Sequence, residues 1–186
     1  MLTKAVAVFL LVASVDLGVS YDKYTTKILN GNPNNVNVNS SPFIKINVGF
    51  YYFGQERVNW HVADENCRKL GSDLVSFETA QEYDAIAEYL KSKGERAEHW
   101  TSGNDLGTKG AHKWYPSATG IYINRWAPNQ PDNAGGIEHC IHIGYVYHYS
   151  TNIEMNDRPC REDKNSLFKY VCEAPKPETI SIVVWK

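Results

Sequence analysis

The chain has 186 residues, a length that suits one domain and one core, since domains typically run to roughly 100–200 residues. Nineteen Lys and Arg against 21 Asp and Glu leave a formal charge of −2, too weak a field to make nucleic acid or an anionic membrane the main partner. Hydrophobic residues at 42% and charged ones at 22% exclude collagen, coiled coil and wholesale disorder, and five Trp, twelve Tyr and six Phe favour a strand-rich or carbohydrate-facing protein.

Residues 1–20 carry the marks of an export signal peptide. Lys4 gives a positive start, Ala5 to Val15 an apolar run, and Gly18 and Ser20 small residues at peptidase spacing before Tyr21. That run is too short for a comfortable membrane span and no other long apolar segment follows, so the mature chain is expected to be secreted, with no membrane span and no nucleic acid partner. In an oxidising compartment Cys67, Cys140, Cys160 and Cys172 are expected to form two disulfides rather than a zinc site, despite His139 and His142 beside Cys140. Four cysteines allow three pairings, and their spacing leaves all of them open. Residues 21–44 read as a flexible Asn-rich arm that buries too little apolar area to offset chain entropy. Within it Asn39-Ser40-Ser41 is a sequon for N-glycosylation, followed at once by Pro42.

From Phe43 to Phe53 alternating apolar and aromatic residues predict one or two strands, broken at Gly49 and Gly54. Asn59 is placed to cap a helix whose stripe is Trp60, Ala63, Cys67 and Leu70, stopped at Gly71. Leu74 to Phe77 is strand-like. Thr79-Ala80-Gln81-Glu82 has the form of a capping box for a second helix, with Tyr83, Ile86, Ala87 and Leu90 on one face and Gly94 as its stop. Residues 101–139 are rich in Gly, Asn, Asp and Pro without helical period, and predict long irregular loops of the kind that usually carry function. Strands return at Cys140 to Tyr147 and Leu167 to Cys172, on either side of a polar turn around Asn156, Asp157 and Pro159. Pro175 and Pro177 then open a tail, 175–186, in which Ile180, Ile182 and Val183 to Trp185 either pair at a sheet edge or stay loose.

Gln130-Pro131-Asp132, Glu138 and Asn156-Asp157 place oxygen-bearing side chains in this loop region and in the turn beyond it. Calcium takes roughly six to eight oxygens from carboxylates, amides, backbone and water, in a flexible geometry that loops supply. Asp132, Glu138 and Asp157 would set their negative charges against the ion, with Gln130 and Asn156 adding amide oxygens. Taken singly, each of these residues is better explained by Asx turns and solvated loop surface.

Taken together, they match a known pattern. Gln130-Pro131-Asp132, then Gly135 to Cys140, Met155-Asn156-Asp157-Arg158-Pro159-Cys160 and Tyr170-Val171-Cys172-Glu173 resemble the carbohydrate-recognition domain of the C-type lectins. Trp60 to Ala63 before Cys67, Leu74 to Phe77, and Trp100 to Gly103 resemble that family's two-helix half and its central strand. The resemblance implies an α+β, C-type lectin-like fold over residues 45–174, with two helices, small antiparallel sheets and a long calcium-binding loop region. It implies disulfides Cys67 to Cys172 and Cys140 to Cys160, and one principal Ca2+ held by Gln130, Asp132, Glu138, Asn156 and Asp157, which also face the sugar. The proline of such a motif is typically cis, turning both flanking side chains toward the ion.

In that family Gln-Pro-Asp goes with galactose and Glu-Pro-Asn with mannose. Ala127-Pro128-Asn129 resembles a degraded mannose motif, but Ala127 has no side-chain oxygen, and it is Gln130 that stands at the family spacing before Glu138. Galactose-containing glycans, on cell or microbial surfaces, are therefore the expected partners. Modest affinity is expected, because the loop Asn133-Ala134-Gly135-Gly136 lacks the stacking aromatic; Tyr147, His148 or Tyr149 could take its place, although each reads first as strand core or exposed turn. Met155 stands where the family usually has Trp, a packing change that leaves the ligands in place but predicts a looser strand. Asp105 resembles a ligand of an auxiliary calcium, but Lys109, Asn133 and His139 stand where further acidic ligands would be needed, which argues against a second ion. Asp132 and Glu138 as a glycosidase pair are set aside, since the calcium reading already accounts for them, and no enzymatic activity is expected. The competing reading is a lectin-like domain that binds a protein or other surface without sugar; the intact ligand set argues against it.

Overall fold

The computed structural model describes residues 40–161 and 166–175; the expected export signal, most of the arm with the Asn39 sequon, and the tail beyond Pro175 lie outside them. A hairpin of β1 (Ile44–Ile46) and β2 (Gly49–Val58) opens the fold, turning through Asn47 at φ 51°. β2 does not stop at Gly54, as its sequence predicts, but runs on to Val58. The Tyr170 ring of the neighbouring strand occupies the place where a Cβ at Gly54 would stand, so this glycine admits a ring rather than ending a strand.

Helix α1 (Trp60–Lys69) starts where Asn59 accepts Val62 N at 3.0 Å, buries Trp60, Ala63 and Cys67, and ends with Arg68 and Lys69 at the negative pole of its dipole. Leu70, expected on its stripe, is the C-cap and is exposed. Helix α2 (Ala80–Ser92) is capped by Thr79, whose hydroxyl accepts Glu82 N at 3.1 Å. Glu82 reaches back to Glu78 N at 3.2 Å, one residue beyond the position a capping box would use, while its other oxygen accepts the Tyr51 hydroxyl at 2.5 Å. Tyr83, Ile86, Ala87 and Leu90 are buried, as their spacing predicts.

The strands β3 (Asp73–Leu74), β4 (His99–Asn104), β5 (Lys113–Trp114), β6 (Thr119–Gly120), β7 (Cys140–Gly144), β8 (Glu154–Arg158) and β9 (Phe168–Glu173) complete one sheet. Its main path is β1-β2-β9-β4-β5-β6, and β7 and β8 extend it from β4. β2 and β9 pair antiparallel, which joins the two ends of the domain, whereas β4 and β9 run parallel. Beyond β4, as the sequence predicts, irregular chain dominates up to β7. The expected polar turn at Asn156 and Asp157 is not there: both residues lie inside β8, at 0% exposure.

One cluster of the core joins α2 to Trp114, Ile141, Ile143, Met155 and Val171. The other gathers Trp60, Trp100, Phe168 and Tyr170 around all four cysteines. The bridges are Cys67–Cys172 and Cys140–Cys160, the pairing the resemblance implies. No helix among the described residues is long and apolar enough to cross a membrane.

Candidate functional site

The β7–β8 ladder is the platform of the site. Cys140 pairs with Arg158, Ile141 with Asp157, His142 with Asn156 and Ile143 with Met155. Met155 is fully buried, and the free edge of its backbone is used twice: its N–H donates to Arg125 O at 2.8 Å and its carbonyl accepts Ala127 N at 2.9 Å. The residue in place of the usual tryptophan thus sits in a strand bonded on both edges, and it anchors the segment leading to Gln130. A cis peptide joins Gln130 to Pro131.

From there the loop curls over β8. The Asp157 carboxylate accepts the N–H of Asp132 at 3.2 Å and of Asn133 at 2.8 Å. Asp132 Oδ1 accepts Ala134 N at 3.1 Å, and Asn133 Oδ1 accepts Glu138 N at 3.2 Å. Asn133, Gly135 and Gly136 take the positive φ values, 46°, 66° and 75°, that close so tight a turn. The acidic and amide side chains thus bind the loop's N–H groups themselves.

Carboxylate oxygens of Asp132, Glu138 and Asp157 lie within 4.8 Å of one another. Asp132 is exposed, whereas Glu138 and Asp157 are buried. Burial raises the pKa of Glu138, and the neighbouring Asp157 adds to that, while Arg158 opposes both through its Nη1 contact to Oε1 at 2.9 Å. Glu138 Oε2 and both polar atoms of the Asn156 amide are buried without a hydrogen-bond partner. Gln130 Oε1 accepts Asp132 N at 3.1 Å and its Nε2 donates to the Tyr147 hydroxyl at 3.2 Å. Gln130, Asp132, Glu138 and Asp157 therefore form one connected patch, with Asn156 next along β8. Hard oxygen donors, clustered negative charge and buried oxygens lacking partners fit a calcium ion.

The neighbouring acidic position is used differently. Asp105 is 3% exposed and accepts His139 Nδ1 at 2.7 Å and Gly110 N at 2.6 Å. Burial pushes its carboxyl up, but the Gly110 amide and the His139 ring outweigh that and hold it below the usual range. Two contacts at the main site go unread in the sequence: the Arg158 ion pair to Glu138 and the Tyr147 bond to Gln130. Neither has a local signal, because each joins segments distant in the chain. A further carboxylate group, Glu78, Glu82 and Glu173, is tied to Tyr51 and to the N–H groups of Glu78 and Ser76.

Comparison with known proteins covers the same stretch of chain. The family model of the lectin C-type domain matches residues 56–174. C-type lectin 37Da of Drosophila melanogaster is 62% identical over 186 residues, covering 100% of both chains. The mouse scavenger receptor C-type lectin carbohydrate-recognition domain superposes with a TM-score of 0.60 at 24% identity, over 75% of this chain and 97% of that one. Herring type II antifreeze protein shares the fold too, with a TM-score of 0.59 at 24% identity over 73% of this chain and 97% of that one. With the family model spanning well over half of the chain, the paired disulfides in place and a full-length relative among the C-type lectins, this protein belongs to the C-type lectin domain family, whose members are binding domains and not enzymes.

Proposed function

We propose that this chain is a secreted, calcium-dependent lectin that binds galactose- or N-acetylgalactosamine-type glycans through Gln130, Asp132, Glu138, Asn156 and Asp157. The observation that carries this reading is the convergence of the carboxylates of Asp132, Glu138 and Asp157, with Glu138 Oε2 buried and unpartnered; the amide of Asn156, which precedes Asp157 in β8, is likewise buried without a partner. These five residues would hold the ion, and a bound calcium supplies coordination for two vicinal sugar hydroxyls. The protein's own groups do the rest. Carboxylates of Asp132 and Glu138 accept hydroxyl protons, and the Gln130 and Asn156 amides donate to hydroxyl lone pairs.

Specificity follows from the order of amide and acid around Pro131. A hydroxyl pair of the wrong geometry leaves a polar group unmatched, at roughly 1–3 kcal/mol each. The Gln130-Pro131-Asp132 order supports galactose, whose 4-hydroxyl is axial. Residues 1–20 as export signal, 21–44 as arm with a glycosylated Asn39, and 45–174 as the binding domain belong to the same proposal.

The test uses the full chain on immobilised galactose. Retention in calcium, release by EDTA, and elution by galactose ahead of mannose are expected, and Gln130→Glu with Asp132→Asn should reverse the sugar order. Mannose displacing the parent chain better than galactose overturns the specificity. Retention indifferent to EDTA overturns the calcium reading.

A further inference from the structure

Strand β4 carries more chain than the strand it faces. Trp100 pairs with His142 and Asn104 with Cys140, so four steps along β4 answer to two along β7, and the excess is a bulge at Thr101, Ser102 and Gly103. The Thr101 hydroxyl fills the gap, donating to Ile141 O at 2.9 Å and accepting Gly103 N at 3.2 Å. A Cβ at Gly103 would stand 2.9 Å from the Ile141 side chain, closer than packed side chains approach, which keeps this position a glycine. The bulge decides what meets residue 139. Continued from Trp100 and His142 without it, the ladder would bring Gly103 opposite His139; with it Asp105 arrives there, and its N–H donates to His139 O at 3.0 Å. The side chains repeat the contact, His139 Nδ1 lying 2.7 Å from Asp105 Oδ1. Because the Asp105 carboxyl is held below its usual range it is an acceptor only, and the ring nitrogen supplies the hydrogen.

We infer that Asp105 is a positioning residue for the Glu138 carboxylate, acting through His139. The inference rests on the proposed role of Glu138 in holding calcium. Glu138 immediately precedes His139, and this short stretch is held from three sides. His139 N–H donates to Arg158 O at 3.1 Å, Asn133 Oδ1 accepts Glu138 N at 3.2 Å, and Asp105 grips residue 139 by main chain and side chain together. Arg158 takes Glu138 Oε1, and Oε2 is left buried without a partner. An oxygen fixed before the ion arrives loses little further freedom in binding it, and that is how an outer brace raises affinity. Asp105 is fixed from behind in turn, by Gly110 N–H on Oδ2 at 2.6 Å and by Thr108 N–H on its carbonyl at 3.1 Å, so the loop after β4 belongs to the same brace. Both Asp105 oxygens are thus bonded, and it stands outside the converging group of Asp132, Glu138 and Asp157, so it acts through its neighbour and not as a ligand.

Calorimetry gives the calcium affinity of the full chain and its variants, and competition by free galactose at saturating calcium gives the sugar affinity separately. Asp105→Ala and His139→Ala should each weaken calcium about tenfold. Combined, they should weaken it by about the same tenfold, because a single contact is lost in all three variants. His139→Asn, which keeps an N–H close to the place of Nδ1, should bind calcium as the parent does. Galactose affinity at saturating calcium should match the parent's throughout. Parent-like calcium affinity in Asp105→Ala, a combined loss of about a hundredfold, or galactose binding that stays weak at saturating calcium would overturn the inference. Should Asp105→Ala fail to fold, His139→Ala beside His139→Asn decides alone: a gap of about tenfold supports the brace and equal affinities contradict it. Failure of the underlying reading looks different, since the parent chain then takes up no calcium at all, and the inference falls with it.

Discussion

At the scale of single residues, burial without a partner has measurable consequences. His99 is 1% exposed with Nδ1 unpartnered, and burial lowers its pKa from 6.5 to about 4 although nearby Glu95 pulls the other way. The folded chain keeps this ring neutral while the unfolded chain takes up a proton below 6.5, so its contribution is full above that pH and is lost as the pH falls toward 4. At pH 5 the loss is about 2 kcal/mol. Urea unfolding at pH 7.5 and pH 5 should show a smaller drop in stability for His99→Gln than for the parent; equal drops contradict the assignment. Arg158 makes a second case. It is the cation on Glu138 Oε1, and Arg158→Gln would leave a carboxylate that is 6% exposed beside Asp132 and Asp157 without it. In EDTA this should destabilise the chain by on the order of 1–3 kcal/mol, and saturating calcium should restore most of it. A melting-temperature gap to the parent that is the same in EDTA and in calcium would count against this.

Among the elements, the disulfides separate stability from site geometry. Cys67–Cys172 closes a sequence separation of 105 and Cys140–Cys160 one of 20, worth about 5 and about 3 kcal/mol respectively in the chain-entropy model. The shorter bridge joins the start of β7 to the residue two beyond the end of β8, next to Glu138 and Asp157. Replacing both of its cysteines with alanine should therefore weaken calcium binding several-fold, whereas removing the longer bridge should lower the urea midpoint more and spare calcium binding. The opposite ranking contradicts this division. Both helices were legible in the sequence because their information is local: Asn59 and Thr79 cap them, and their buried stripes repeat at helical spacing. The strands were less so. Gly54 reads as a break until Tyr170 is seen to fill its missing side chain, and Asn156-Asp157 reads as a turn because polar residues in pairs usually make one. Here both are buried within β8, and the Asp157 carboxylate binds the N–H groups of Asp132 and Asn133.

For the molecule as a whole, the site is non-local. Its loop is held by Asp157, its base by the β7–β8 ladder, and one edge by Tyr147. The five oxygen-bearing positions were legible because they stand at the order and spacing of a family pattern. The bonds they make were not, since Arg158 to Glu138 and Tyr147 to Gln130 depend on how separate segments meet. The central claim is that these five residues close on one calcium, and calcium titration calorimetry of the full chain beside Asp157→Asn tests it most directly. One ion per chain is expected for the parent, with a stability gain of about 2.7 kcal/mol at a hundredfold excess over Kd, and loss of both in the variant. Calcium binding to Asp157→Asn with the affinity of the parent would contradict it.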